Sequence, residues 1–164
     1  MSNPIIRPIQ VTDNKRVAQI IRQVMTEFSC VGPGFSIEDP EVDQMYEAYQ
    51  SKQAAFFVVE HFGEVQGCGG FGPLSGGDGV TCELKKMYFL SELRGYGMGK
   101  QLLNHCIDTA TQQGYQRMYL ETVNRMISAN ALYQQRGFQP LAAAEGATGH
   151  SSCDTYYALT LRKK

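Results

Sequence analysis

The sequence has no apolar run approaching the roughly twenty residues of a membrane span, and its start, "MSNPIIRPIQVTDNK", lacks the apolar core of a signal peptide. A soluble, cytoplasmic protein is the expectation. Nor is there an excess of either charge. With 15 Lys and Arg against 16 Asp and Glu, the formal net charge is -1, so no global field draws the chain to nucleic acid or to an anionic membrane. Any anion site must be local. Close cysteine pairs are missing too: Cys30, Cys68, Cys82, Cys106 and Cys153 are odd in number and form neither a zinc-type pair nor C-x-x-C. Reduced, mostly buried thiols are expected. His61, His105 and His150 lack the clustered spacing of a metal centre, so no metal is implied. Repeats, low-complexity tracts and linkers are absent, and 164 residues suit one domain, 1–164, with a single core.

What is present is periodicity broken by glycine. "PIIRPIQV" alternates weakly and reads as a first strand, after which Thr12 or Asp13 can cap a helix carrying Val17, Ile20, Ile21, Val24, Met25 and Phe28 at helical spacing. The breaker-rich "SCVGPGFSIEDP" is a loop, and "PEVDQMYEAYQ" a short second helix with proline in its first turn. "AAFFVVEHF", "GEVQGCGGFGPL" and "GVTCELKKMYFL" read as consecutive antiparallel strands. Met98, Leu102, Leu103, Cys106, Ile107 and Ala110 mark a helix that begins inside a glycine run and stops at Gly114. "YQRMYLETV" is a strand and "MISANALYQQRG" a helix closed by Gly137, while "FQPLAA" and "TYYALTL" are final strands around the loop "AEGATGHSSCD". The order predicts a mixed α/β domain of about seven strands and four helices whose middle strand-helix-strand is a parallel crossover.

The glycine run is "LRGYGMGKQLL". A strand that runs through glycines into a helix leaves several backbone N–H groups unpaired where the helix dipole favours an anion. Gly95, Gly97 and Gly99 let those amides approach a phosphate, and Arg94 and Lys100 can add charge. The spacing fits neither alternative phosphate loop. A Walker A loop needs glycine where Arg94 stands and Ser or Thr where Gln101 stands, and a G-x-G-x-x-G fingerprint needs glycine at Lys100 or Leu102.

Arg94-Gly95-Tyr96-Gly97-Met98-Gly99 is similar to the Q/R-x-x-G-x-G/A pattern of the GNAT superfamily of N-acetyltransferases. "CELKKMYFL" resembles the fourth strand of that family, and "ANALYQQRGF" its A-x-x-L-Y-x-x-x-G-F segment. The resemblance implies a mostly antiparallel sheet that splays between its fourth and fifth strands. It implies acetyl-CoA as co-substrate, held at Arg94 to Lys100 and along the backbone of Met87, Tyr88 and Phe89. It further implies Tyr133 as the acid that protonates the departing thiolate and Glu83 as the base that deprotonates the amine. Under strict alternation Glu83 faces the same side of its strand as Lys85 and Met87. Where many relatives carry an asparagine that contacts the cofactor arm, this chain has Met126. Asn124 and Asn130 stand nearby, either as substitutes or as ordinary surface amides.

In this family the acceptor surface comes from the first helices and the loop before the last strand. Here that includes Glu38, Asp39, Glu41, Asp43 and Glu47, without a Lys or Arg between Phe28 and Gln50. Such a rim attracts a cationic amine, although the same residues equally suit a helix start. Phe35, Tyr46 and Tyr49 add apolar area, and a small-molecule primary amine is the expected acceptor. His150 and Cys153 either line that pocket, where a thiol relay through Cys153 would have only His150 as partner, or are incidental turn residues. A homodimer is left open, as is the alternative that the chain is a catalytically weak acyl-CoA-binding sensor.

Overall fold

A computed structural model describes residues 2–162. Strand alternation and helical spacing sort the apolar side chains onto two faces of one sheet. The elements are β1 (Ile5–Pro8), α1 (Asn14–Glu27), α2 (Met45–Ala48), β2 (Ala55–His61), β3 (Glu64–Pro73), β4 (Thr81–Phe89), α3 (Met98–Gln112), β5 (Arg117–Thr122), α4 (Ile127–Arg136), β6 (Gln139–Leu141) and β7 (Thr155–Thr160). The seven strands lie in the order β1-β2-β3-β4-β5-β7-β6, and only β4 and β5 are parallel. On one face, Leu102, Leu103 and Cys106 of α3 pack on Phe57, Phe71 and Leu120. On the other, Val17, Ile20 and Ile21 of α1 pack on Phe56, Val58 and Cys68. All five cysteines are unpaired, four buried and Cys153 half-buried. No helix among the described residues is long and apolar enough to cross a membrane.

The expected elements are present, with two local corrections. The segment read as one second helix is a 3-10 turn, Pro40–Asp43, and then the four-residue α2, separated by Gln44 at φ -137. Val42 and Met45 are both buried, so anchoring to the core sets this segment in place of a continuous helical repeat. Asp13 does stand at the start of α1, but its carboxylate bonds Arg7 and the Gln10 amide and makes no cap bond.

Two features of β4 shape the site. It pairs with β5 only through Thr81–Arg117, Cys82–Met118 and Glu83–Tyr119, so the strands part beyond Glu83. On its other side a bulge interrupts the pairing with β3, because Cys68 opposes Tyr88 while Gly70 opposes Lys85. Lys86, at φ +52, is the extra residue. The bulge reverses the alternation. Cys82 and Leu84 share the α3 face with Met87 and Phe89, whereas Tyr88 packs on the α1 side. The expectation that Glu83, Lys85 and Met87 face one way is therefore overturned: Glu83, Lys85 and Lys86 line a cavity that Met87 does not reach.

Candidate active site

The glycine run does what its composition requires. Gly95 and Gly97 adopt φ +91 and +72, and α3 starts at Met98. Its first internal bond runs from Gln101 N–H to the Gly97 carbonyl, so the N–H groups of Gly95 to Lys100 have no acceptor among the described residues. A Cβ on Gly97 would meet nothing within 4 Å, so glycine at this position answers to the positive φ and not to crowding. Tyr96 is half-exposed and meets His61 edge to face, with ring centroids 4.8 Å apart, and Lys100 is exposed. Arg94 is less free than its place in the motif implies. Its guanidinium is engaged by both oxygens of Glu27, at 2.6 and 2.9 Å, and by the Phe89 carbonyl, and it lies over the Phe28 ring.

These amides open onto a cleft of ≈ 410 Å³ where β4 and β5 have parted. Met87, Tyr88 and Phe89 form one wall, and Leu132 and Tyr133 of α4 another. α4 ends at Gly137, φ +102, which fixes where Tyr133 stands. The Tyr133 ring is buried against Phe138 and Tyr157, and its hydroxyl has no hydrogen-bond partner among the described residues. Burial pushes this phenol well above its ordinary value, so it stays protonated. The two asparagines lie elsewhere. Asn130 donates to the Val123 and Met126 carbonyls and accepts from Tyr157, and the backbone of Asn124 bonds Asp154.

Tyr88 and Met126 line the cleft and also a second cavity, of ≈ 50 Å³, on the α1 side. Glu83 is there, 3% exposed and without a hydrogen bond among the described residues, with Lys85 Nζ at 3.7 Å. Burial pushes its carboxyl up to about 6, against the pull of Lys85 and His150. Glu121 faces it and accepts from the Tyr119 and Thr148 hydroxyls, one on each oxygen. His150 lies between them, with Nδ1 3.5 Å from Glu121 and 3.9 Å from Glu83 and Nε2 2.9 Å from Asp39. The donor atoms of Glu83, Glu121 and His150 are within 4.8 Å of one another, a proximity that histidine spacing in the sequence cannot reveal. Cys153 also lines this cavity, and burial pushes its thiol up to about 12, which disfavours the thiolate that a relay needs.

The acidic rim looks different in three dimensions. Asp39 and Glu41 both bind the buried Lys86 ammonium, at 2.8 and 2.9 Å. Asp43 pairs with Arg22, and Glu47 accepts from Asn14. Tyr49 is buried and donates to Glu41, so it adds no open apolar surface, while Phe35 does line the cavity. The negative charge that reaches the cavity is that of Glu83 and Glu121. Two contributors carried no sequence signal. Glu121 is one, and the other is Arg125, which donates to the Phe28 and Ser29 carbonyls and stacks on Phe35, tying the end of α1 to the β5–α4 turn.

Residues 19–138 match the acetyltransferase (GNAT) family. The chain is 40% identical over 153 residues to YjgM of Escherichia coli strain K12, an uncharacterised N-acetyltransferase, with 93% of this chain and 92% of that protein covered. Among solved structures it is similar to a GNAT-family acetyltransferase from Staphylococcus aureus Mu50, at TM-score 0.83 and 21% identity over 97% and 99% of the two chains. It is also similar to YncA from Salmonella typhimurium, solved with its cofactor acetyl-CoA, at TM-score 0.75 and 24% identity over 99% and 96%.

Proposed function

The chain belongs to the acetyltransferase (GNAT) family and is an acetyl-CoA-dependent acetyltransferase; from that premise we propose that it acetylates the primary amine of a small cationic molecule by direct attack. The carrying observation is that two cavities share Tyr88 and Met126 in their walls, one lined by glycines whose amides have no acceptor and the other by a buried carboxylate with no donor among the described residues. The amides from Gly95 to Lys100 suit the pyrophosphate of acetyl-CoA, and the unpaired side of β4 suits its extended amide-bearing arm.

The acceptor enters from the α1 side as an ammonium, because amines of this type have a pKa of about 10.4. Glu83 takes one proton from it, the freed amine attacks the thioester carbonyl, the C–S bond breaks as Tyr133 gives its proton to the departing sulfur, and the second proton of the nitrogen leaves to solvent as the Tyr133 phenolate is reprotonated. Asp39, Glu41 and Asp43 are paired with cations, so the attraction of the amine at the cavity itself falls to Glu83 and Glu121, which line it. A panel of small amines, amino acids and peptides incubated with acetyl-CoA, read by release of free thiol, tests the reading. Turnover of peptides alone would overturn it.

Two variants test the assignments. Valine at Gly97 must adopt φ +72, a conformation that costs a residue with a Cβ about 1–2 kcal/mol, and its methyls enter the space in front of the amides. Acetyl-CoA affinity measured by calorimetry is expected to fall about tenfold or more. Equal affinity would remove the cradle. For Glu83, log kcat/KM of the wild type should climb with pH through about 6 as the carboxyl ionises. Glu83→Gln should lose that limb, and a variant with an unchanged profile would exclude Glu83 as base.

A further inference from the structure

The steps above leave unused a line of charges that ends at His150. Tyr49 donates to Glu41, Glu41 and Asp39 both bind Lys86, and Asp39 meets His150 Nε2 with its two oxygens at 2.9 and 3.1 Å. The line joins the loop after α1, the bulge of β4 and the loop before β7. These segments are far apart in sequence, and Ser152 adds bonds to the Gly34 and Pro33 carbonyls that hold the two loops together.

Glu83 gives this line a purpose. A buried carboxylate without hydrogen bonds favours its neutral form, which cannot accept a proton. Two cations lie within 4 Å, Lys85 at 3.7 Å and His150 at 3.9 Å. Lys85 is the more exposed, at 21% of its side chain against 9% for His150, and among the described residues its ammonium is held only by this long contact to Glu83. The imidazole cannot turn away, because Asp39 grips its far nitrogen and Lys86, 1% exposed, fixes Asp39.

We propose that His150 is a positioning residue for acetyl transfer: seated on Asp39, it presents a charged ring edge to Glu83 and keeps that carboxylate in its proton-accepting form. The proposal rests on the reading of Glu83 as base. In the step itself the proton passes from the amine nitrogen to a Glu83 oxygen, and His150 keeps its own. The groups that face Glu83 are Lys85, Lys86 and His150, which favour its charge, and Glu121, which opposes it. Those that face His150 are Asp39, Glu121 and Glu83. Burial disfavours the imidazolium, yet the bonds from Asp39 and Glu121 outweigh it and raise the ring to about 9, so it is charged wherever Glu83 titrates.

The test uses His150→Gln, which keeps a hydrogen-bonding side chain but no charge, and Asp39→Asn, which leaves the imidazole but loosens its grip. The midpoint of Glu83 is read by NMR from its labelled carboxyl carbon, and kcat/KM is read from pH 5 to 9. Loss of one opposite charge at this range should raise the Glu83 midpoint by about one unit or more and move the acid limb with it. For His150→Gln a one-unit rise is about a fivefold loss at pH 6 that approaches tenfold at pH 5 and disappears near pH 9. Asp39→Asn should move both in the same direction by less, and it carries the test if the His150 variant does not fold. A loss of equal size at every pH with an unmoved midpoint would mean that His150 only holds the loop, and would overturn the proposal. A raised midpoint with an unmoved kinetic limb would remove Glu83 as base, and the role of His150 with it.

Discussion

Tyr133→Phe is expected to lower kcat about ten- to a thousandfold, the scale of a lost general acid, while acetyl-CoA binds almost as before. The substitution is clean for structural reasons. The ring keeps its place against Phe138 and Tyr157, and the hydroxyl that is lost bonds to no other group among the described residues, so neither packing nor an internal hydrogen bond is sacrificed. What disappears is a proton at the wall of the cleft, held on an oxygen whose burial keeps it protonated until a strong base forms beside it. A departing thiolate is such a base. Rapid-quench kinetics should therefore show slower chemistry at an unaltered dissociation constant for acetyl-CoA. A Tyr133→Phe enzyme with wild-type turnover on its true acceptor would mean that the thiolate leaves without help.

Lys86→Met should cost about 3–5 kcal/mol of stability, the usual result of removing one partner from a buried ion cluster, and lower the melting temperature by on the order of 10 °C. Methionine matches the stem but leaves Asp39 and Glu41 facing each other without the ammonium that both of them bind. The control is Asp43→Ala, which breaks an exposed pair with Arg22 and should cost less than about 1 kcal/mol. Equal melting temperatures for the two variants would show that the cluster does not hold the loop. Acid acts on the same cluster. Lys86 and its neighbours hold Asp39 and Glu41 below their ordinary values despite burial, so their contribution is complete above those values and fades as pH falls through the lowered ones.

The sequence is most informative where one residue type solves one local problem. Gly97 at φ +72 starts α3 where the apolar spacing begins, Gly114 and Gly137 close α3 and α4, and the strands follow from their β-branched and aromatic runs. It is least informative where a single residue changes the count. The bulge at Lys86 reverses the side chains beyond it, and nothing in "ELKKMYF" distinguishes two lysines in regular alternation from one that is inserted. Charge patterns mislead for a related reason. A stretch of acids without Lys or Arg reads as an open rim, because the Lys86 that neutralises Asp39 and Glu41 lies more than forty residues further along. His150 and Asp39 are 111 residues apart, so their contact and its bearing on Glu83 are properties of the fold alone.

The parting of β4 from β5 has one more consequence. Beyond Glu83 the fourth strand is bonded on one side only, so the sheet carries an edge in its middle as well as at its two ends. Most proteins hide such edges, since an unpaired row of amides and carbonyls will accept any extended chain of suitable length. If, as proposed, this edge receives the arm of the acyl donor, it is also open to a stray peptide strand between turnovers, and the supply of donor sets how long it stays uncovered.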